Sequence, residues 1–404
     1  MSTEKIVKGL LISFYFPPLN SMATHRIYSF VKYLNNSKLK LDVICPEWEG
    51  DLAKNIDSVR IIHTPKRVFD QNFGEREKNG VVWLKDLILN RVLKIKYFRG
   101  RLPGSFYREV IEQIEKLDLN EYDFVITSYG PLDSIHIGRY IKKKYKALKW
   151  IIDYRDLYSE LEYYNMGITR SYFRNYEKKI TELADGFITV SEVLKNKLEK
   201  LLEKKGKLIY NGYEDFMIGG NDSLPEEIEQ VKLPIIAYVG SLYQGERDPL
   251  PFLEYFKATG LSEKYCCVFA VINDLDEVYL RKILAELQVM NVIVIRNLKH
   301  NESIALQKKA AFLLLLSNFN GRGNGYLTGK VFEYIAAEKP IIYSGTTEKD
   351  FELYQLIVKY KLGDFFGFFD FENSGKYAKG DYTFFHRKNQ ASELEEFITG
   401  VLGK

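Results

Sequence analysis

Short apolar runs alternate with longer amphipathic stretches along most of the chain. That alternation restricts it to βαβ units and parallel sheets. In the first half the runs are Leu10–Phe16, Leu41–Cys45, Val59–His63, Phe124–Ser128, Trp150–Asp153, Gly186–Val190 and Lys207–Tyr210. Helical spacing fills the gaps, as in Arg26–Leu34, Tyr107–Leu117 and Ser191–Lys204, the last opening on a Ser suited to an N-cap. The pattern pauses over 211–232, where Gly212, Gly219, Gly220 and Pro225 accompany a run of acids, and this segment reads as a linker. A second series follows: Ile235–Val239, Cys267–Ile272, Val292–Ile295, Phe312–Leu316 and Pro340–Tyr343, with helices at Pro249–Lys257, Asp276–Leu287, Glu302–Lys309 and Lys330–Ala337. Ser392–Leu402 closes the chain as one more amphipathic helix. The expectation is two Rossmann-like halves, 1–215 and 233–388, facing a central cleft, with a C-terminal helix over 389–404 packing back on the first half.

Composition narrows the function classes. The 404 residues carry 58 Lys plus Arg against 54 Asp plus Glu, so the net charge of +4 is too small for a nucleic-acid coat. The three cysteines, Cys45, Cys266 and Cys267, form no disulfide framework and suit a reducing compartment. No apolar run approaches the ~18 residues that span a bilayer. Glu4 and Lys5 precede a short apolar stretch with no small-residue cleavage site after it, which argues against a signal peptide.

In open α/β sheets ligands bind beyond the carboxyl ends of the strands, so the strand-to-helix junctions are where chemistry belongs. The first junction, Phe16-Pro17-Pro18-Leu19-Asn20-Ser21, has no glycine. A dinucleotide site would need G-x-G-x-x-G there, which counts against a dehydrogenase. Asn20, Ser21 and Thr24 offer groups for sugar hydroxyls; equally, Ser21 could be a helix cap. Asp153-Tyr154-Arg155-Asp156 places three charges directly after a buried strand, as an active-site cluster or an internal ion pair. Tyr210-Asn211-Gly212-Tyr213 reads as a turn. Gly240-Ser241 through Arg247-Asp248-Pro249 could present backbone N–H groups and a guanidinium to an anion. The strongest junction is 318–334. Four glycines in nine residues, 321–329, precede a helix that starts near Thr328 and holds Lys330 in its first turn, with Glu333 three positions on, on the same face. A cation at the positive end of a helix suits a phosphate, and a nearby carboxylate suits ribose hydroxyls. The alternative is a Lys330–Glu333 surface pair beside a flexible loop.

These junctions in this order resemble the retaining glycosyltransferases of family 4, which have the GT-B fold. The resemblance rests on DFVITSYGP (123–131), IIDYRDLYS (151–159), YEKKITELADGFITVSEVLKNKL (176–198), IYNGY (209–213), YVGSLYQGERDP (238–249) and TGKVFEYIAAEKPII (328–342). It implies a transferase taking sugar from a nucleotide-diphosphate donor, with no metal or other cofactor. Gly240, Ser241, Arg247, Tyr326, Thr328, Lys330 and Glu333 would bind the donor, Arg247 and Lys330 meeting the diphosphate and Glu333 the ribose. Asn20 and Ser21 would contact the acceptor, with Arg155 and Asp156 as the catalytic pair. The sequence departs from the family in three places. Gly325 stands where a second glutamate is usual, the first loop lacks glycine, and Ser241 occupies the place of an arginine.

Two basic segments, 91–108 and 139–149, each hold six basic and no acidic residues. They suggest peripheral contact with an anionic membrane and a lipid-linked or surface-polysaccharide acceptor at the inner face of the cytoplasmic membrane; the alternative is a solvated helix face. No nucleic-acid motif accompanies them. His25, His63, His136, His300 and His386 show no ligand spacing. Two other functions stay open: an epimerase of the same architecture, which would isomerise a nucleotide sugar without acceptor, and a non-catalytic nucleotide-sugar-binding protein.

Overall fold

The computed structural model describes all residues except 1–5, 37, 51, 53–58, 68–103, 161–167, 216–223, 243–246, 321–322 and 404. The chain forms two compact units, Met1–Tyr210 with Arg387–Lys404, and Asn211–His386.

The first unit is a seven-stranded parallel sheet of β1 (Val7–Ile12), β2 (Leu39–Trp48), β3 (Ile61–Arg67), β4 (Phe124–Ser128), β5 (Lys149–Tyr154), β6 (Gly186–Thr189) and β7 (Gly206–Leu208), in the order β3-β2-β1-β4-β5-β6-β7. Counting helices of eight residues or more, the unit holds α1 (Met22–Leu34), α2 (Ser105–Ile114), α3 (Asp133–Lys144), α4 (Ile168–Thr181) and α5 (Glu192–Leu202). Strand side chains alternate between faces. Leu10, Ile12, Val125, Trp150 and Ile152 pack against α2 to α5, while Leu11, Leu41, Val43, Ile126 and Ile151 pack against α1 and the C-terminal helix. Leu394 and Ile398 of that helix, one turn apart, sit in the same cluster as Ile27, Phe30 and Leu34 of α1.

The second unit is a six-stranded parallel sheet of β8 (Ile235–Val239), β9 (Cys266–Val271), β10 (Val292–Arg296), β11 (Phe312–Leu316), β12 (Ile341–Ser344) and β13 (Gly363–Phe365), ordered β10-β9-β8-β11-β12-β13. Its helices are α6 (Leu250–Ala258), α7 (Asp274–Leu287), α8 (His300–Lys309), α9 (Gly329–Ala336) and α10 (Glu352–Lys359); α11 (Arg387–Leu402) returns to the first unit. In each sheet the chain winds one way, then the other, from its first strand. The order therefore reverses between β1 and β4, and between β8 and β11, the places where such sheets bind ligands.

The structure extends and corrects the sequence reading. The strand read as Leu10–Phe16 runs Val7–Ile12, because Ser13–Phe16 leaves the sheet and Phe14 packs edge-on against Trp48 and Phe106. The described end of the segment read as a linker belongs to the second unit: a short helix, Glu226–Glu229, buries Ile228, whose carbonyl accepts a hydrogen bond from Lys309. The C-terminal helix starts at Arg387, five residues early, where buried Gln390 accepts a bond from the Tyr210 amide at 2.7 Å. No helix among the described residues is long and apolar enough to cross a membrane.

Candidate functional site

In the second unit β8, β9 and β10 end around a pocket of about 450 Å³. Ile272, Leu298 and Ile304 give it apolar walls, Asn297, His300, Ser303 and Gln307 a polar edge, and Gly240, Lys330 and Glu333 its floor on the β8–α9 side. Lys330 and Glu333 thus face one pocket, rather than forming a pair on open surface. Both belong to α9, whose Val331, Phe332, Tyr334 and Ile335 are buried against the sheet. Burial of that apolar stripe turns the Lys330–Glu333 face toward the strand ends.

Lys330 is held from below. Its Nζ donates to the Tyr238 hydroxyl at 2.9 Å and lies 4.1 Å from the centroid of that ring. Gly240, at φ +122°, lies directly beside it: a Cβ there would come within 2.5 Å of Lys330 Cε and Nζ. Only glycine accommodates both the backbone conformation and the ammonium. Burial, reinforced by the Arg247 charge, holds the Lys330 ammonium well below the ordinary lysine range, with Glu333 and Asp276 opposing. Ser241 takes part through its backbone: its carbonyl accepts from the Tyr238 hydroxyl at 2.6 Å and from Arg247 Nη1 at 3.3 Å. Arg247 therefore reaches the place where Ser241 brings no charge of its own. Thr328 is the extended N-cap residue of α9 with no side-chain cap bond. Tyr326 is 44% exposed at the mouth of the glycine-rich loop. Gly325 is buried at φ +98°, so the missing glutamate is a property of the backbone path: an L-residue would be strained there.

In the first unit the expected residues fall around the carboxyl ends of β1, β4 and β5. Ser21 is the N-cap of α1, its Oγ accepting from the Thr24 amide at 3.1 Å. Asn20 is exposed, with Oδ1 2.9 Å from His25 Nε2. Arg155 Nη2 donates to the Tyr129 carbonyl at 2.5 Å, its guanidinium lies 5.0 Å from the centroid of the Tyr15 ring, and bare Gly130 leaves room for it. Asp156 is raised by burial, with Arg155 opposing. Asp153, read with them as one cluster, is spoken for: it forms a buried ion pair with Arg26. At 210–213 Gly212 turns the chain at φ +65°.

Sequence reasoning missed Glu177, which holds the loop carrying Arg155 and Asp156. Its buried carboxylate accepts from the amides of Tyr158 and Ser159 at 3.1 and 3.0 Å. The signal was a lone Glu at a helical core position, on α4. Burial pushes it up to about 7 from a usual 4.5, against those hydrogen bonds. A carboxyl raised on folding stabilises fully below its unfolded value, and that contribution fades as pH rises through 7. Glu177→Gln should therefore remove, from the pH dependence of urea unfolding between 4.5 and 7, a fall on the order of 3 kcal/mol. Parallel wild-type and variant curves would show that the group titrates normally.

Two parallel sheets with reversing strand order, the second with a polar-edged pocket at its carboxyl ends, form the GT-B architecture. Residues 23–215 match Glycosyltransferase Family 4. Over those residues, just under half of the chain, it is similar to that family, and its enzyme class is glycosyltransferase. No curated protein is similar enough in sequence to match the chain. Similar solved structures include sucrose-phosphate synthase from Thermosynechococcus elongatus, 14% identical over 98% of this chain and 99% of that one, TM-score 0.60. A glycosyltransferase from Rickettsia africae is 15% identical over 98% and 99%, TM-score 0.58. Anabaena Alr3699/HepE in complex with UDP is 10% identical over 98% and 100%, TM-score 0.56.

Proposed function

We propose that the protein moves a sugar from a nucleoside-diphosphate donor to a surface polysaccharide or lipid-linked glycan, with retention of anomeric configuration. The observation that carries the donor half is the pocket on the second unit. Its volume falls within the range of small-ligand sites. Apolar walls suit a base, Glu333 the ribose, and Lys330 the diphosphate at the start of α9, with the Arg247 charge close to Lys330 from outside the lining. The helix end and the two cations would stabilise charge on the departing diphosphate, a stabilisation that needs no added cofactor. UDP is the first nucleotide to test, since a similar structure contains it. Gly240, Ser241, Tyr326 and Thr328 complete the donor side. Asn20 and Ser21 are proposed for the acceptor, and Arg155 with Asp156 for the reacting centre.

A cytoplasmic location at the inner face of the membrane is part of the same reading. In 139–149, Arg139, Lys142, Lys144 and Lys149 pair with Glu182, Asp185 and Glu115, so the contact would fall to Lys143 and Lys146, both exposed. Most of 91–108 lies outside the described residues.

A thermal-shift screen against UDP, GDP and ADP tests the donor half. A ligand at 100 times its dissociation constant adds about 2.7 kcal/mol, so one of the three should raise the midpoint by several degrees. The anomeric configuration of the transferred sugar, read by NMR from a reaction with the matching sugar nucleotide, should equal that of the donor. No midpoint shift with any nucleotide would refute the donor site, and inversion would refute retention.

A further inference from the structure

We infer that Tyr238 is a positioning residue of the donor site, its hydroxyl fixing the Lys330 ammonium relative to Arg247. This rests on the reading of Lys330 as a diphosphate-binding group. The geometry is a chain of four partners. Lys330 Nζ donates to the Tyr238 hydroxyl, that hydroxyl donates to the Ser241 carbonyl, and the same carbonyl accepts from Arg247 Nη1. Two like charges are therefore joined through one phenol and one carbonyl. Among the described residues Lys330 makes no ion pair. A half-buried ammonium in that position needs an acceptor, and the phenol provides it. An ammonium has three donors; one is used, and the others remain for a ligand.

Tyr238 can do this because it is itself immobile. It is fully buried at the end of β8, its ring 5.7 Å from that of Phe269. Its hydroxyl receives one bond and gives one. The ring also offers its π-electrons to the ammonium, and the bare α-carbon of Gly240 leaves the space. The phenol thus holds the cation in place before the donor arrives, so that little reorganisation accompanies binding.

The charged groups facing Lys330 are Arg247 from the loop after β8, Asp276 from α7 and Glu333 from α9 itself, with His300 of α8 lining the same pocket. Asp276 is already engaged by the Leu242 amide and the Asn273 side chain. A hydrogen bond accepted from the ammonium favours its charged form, so losing the phenol should lower the pH at which Lys330 deprotonates.

The test uses the full chain as wild type, Tyr238→Phe, Lys330→Ala and the double variant. UDP affinity is measured by calorimetry, and donor turnover is measured from pH 6 to 10. Tyr238→Phe keeps the buried ring and is expected to weaken UDP binding about tenfold and to move the alkaline limb of kcat/KM to lower pH. Placed on Lys330→Ala, it should cost nothing further, because it acts through that lysine. An unchanged affinity and alkaline limb, or an additive loss in the double variant, would overturn the inference. Wild-type UDP affinity in Lys330→Ala is a separate result and overturns the donor reading beneath it.

Discussion

Lys330→Ala is expected to lower transfer from a sugar nucleotide by roughly 10²–10³, the usual loss when one preorganised donor to developing charge is removed. The ammonium sits at the first turn of α9, pinned by Tyr238 and unpaired with any carboxylate among the described residues. Charge on the diphosphate grows as the glycosidic bond breaks, so the loss should fall mainly on kcat. Glu333→Ala should behave differently. A carboxylate on ribose hydroxyls binds ground state and transition state alike, so its removal should raise KM for the donor with kcat nearly kept. Hydrogen bonds to charged groups contribute about 1.5–3 kcal/mol, which corresponds to a KM increase of roughly 10- to 100-fold. Steady-state kinetics of both variants check the pair of effects. Wild-type rates in both, or a kcat loss in Glu333→Ala as large as in Lys330→Ala, would contradict the assigned roles.

The two halves of this site were not equally visible in the amino-acid sequence. Lys330 and Glu333 stood out because glycines, a helix start and i,i+3 spacing coincide within a dozen residues, and local spacing survives folding. Tyr238 did not, because a tyrosine inside an apolar strand reads as core, and it is core on every side but its hydroxyl. Its role depends on Lys330, 92 positions away. The same holds for Arg26, which lies 127 positions from Asp153 and looks like the polar face of an amphipathic helix. Most strands were legible from their apolar runs. Exceptions have physical causes: β13 has three residues, two of them half-buried, on a sheet edge, and carries too short an apolar signal. Helix α3 was obscured by its basic end, Lys142 to Lys144, which suggested a surface patch. In the structure Lys142 and Lys144 pair with Asp185 and Glu115.

Asp153→Asn is expected to destabilise the first unit by about 3–5 kcal/mol, the cost of stranding one partner of a buried ion pair. Arg26 is 1% exposed and Asp153 not at all. The guanidinium donates Nε to Asp153 Oδ1 at 3.0 Å, with Nη2 in ion-pair contact 2.9 Å from the same oxygen, and donates Nη1 to the carbonyls of Ile209 and Tyr210 at 2.7 and 3.1 Å. Ser128 Oγ donates to the other carboxylate oxygen at 3.0 Å. One pair thus ties α1, β4, β5 and the chain after β7. Burial works against the Arg26 charge and lowers its pKa, and Asp153 is what offsets that. Removing the carboxylate charge leaves the desolvation cost in place, which is why the loss should be large. Urea unfolding followed by fluorescence measures it. The double variant Arg26→Met, Asp153→Leu should recover most of the lost stability, because neither charge is then buried. If the pair also sets the path of the chain into Arg155 and Asp156, two residues beyond β5, the double variant should be stable yet poor in turnover. Wild-type unfolding in Asp153→Asn would show that the pair contributes nothing net. Full turnover in the stable double variant would confine it to holding the fold.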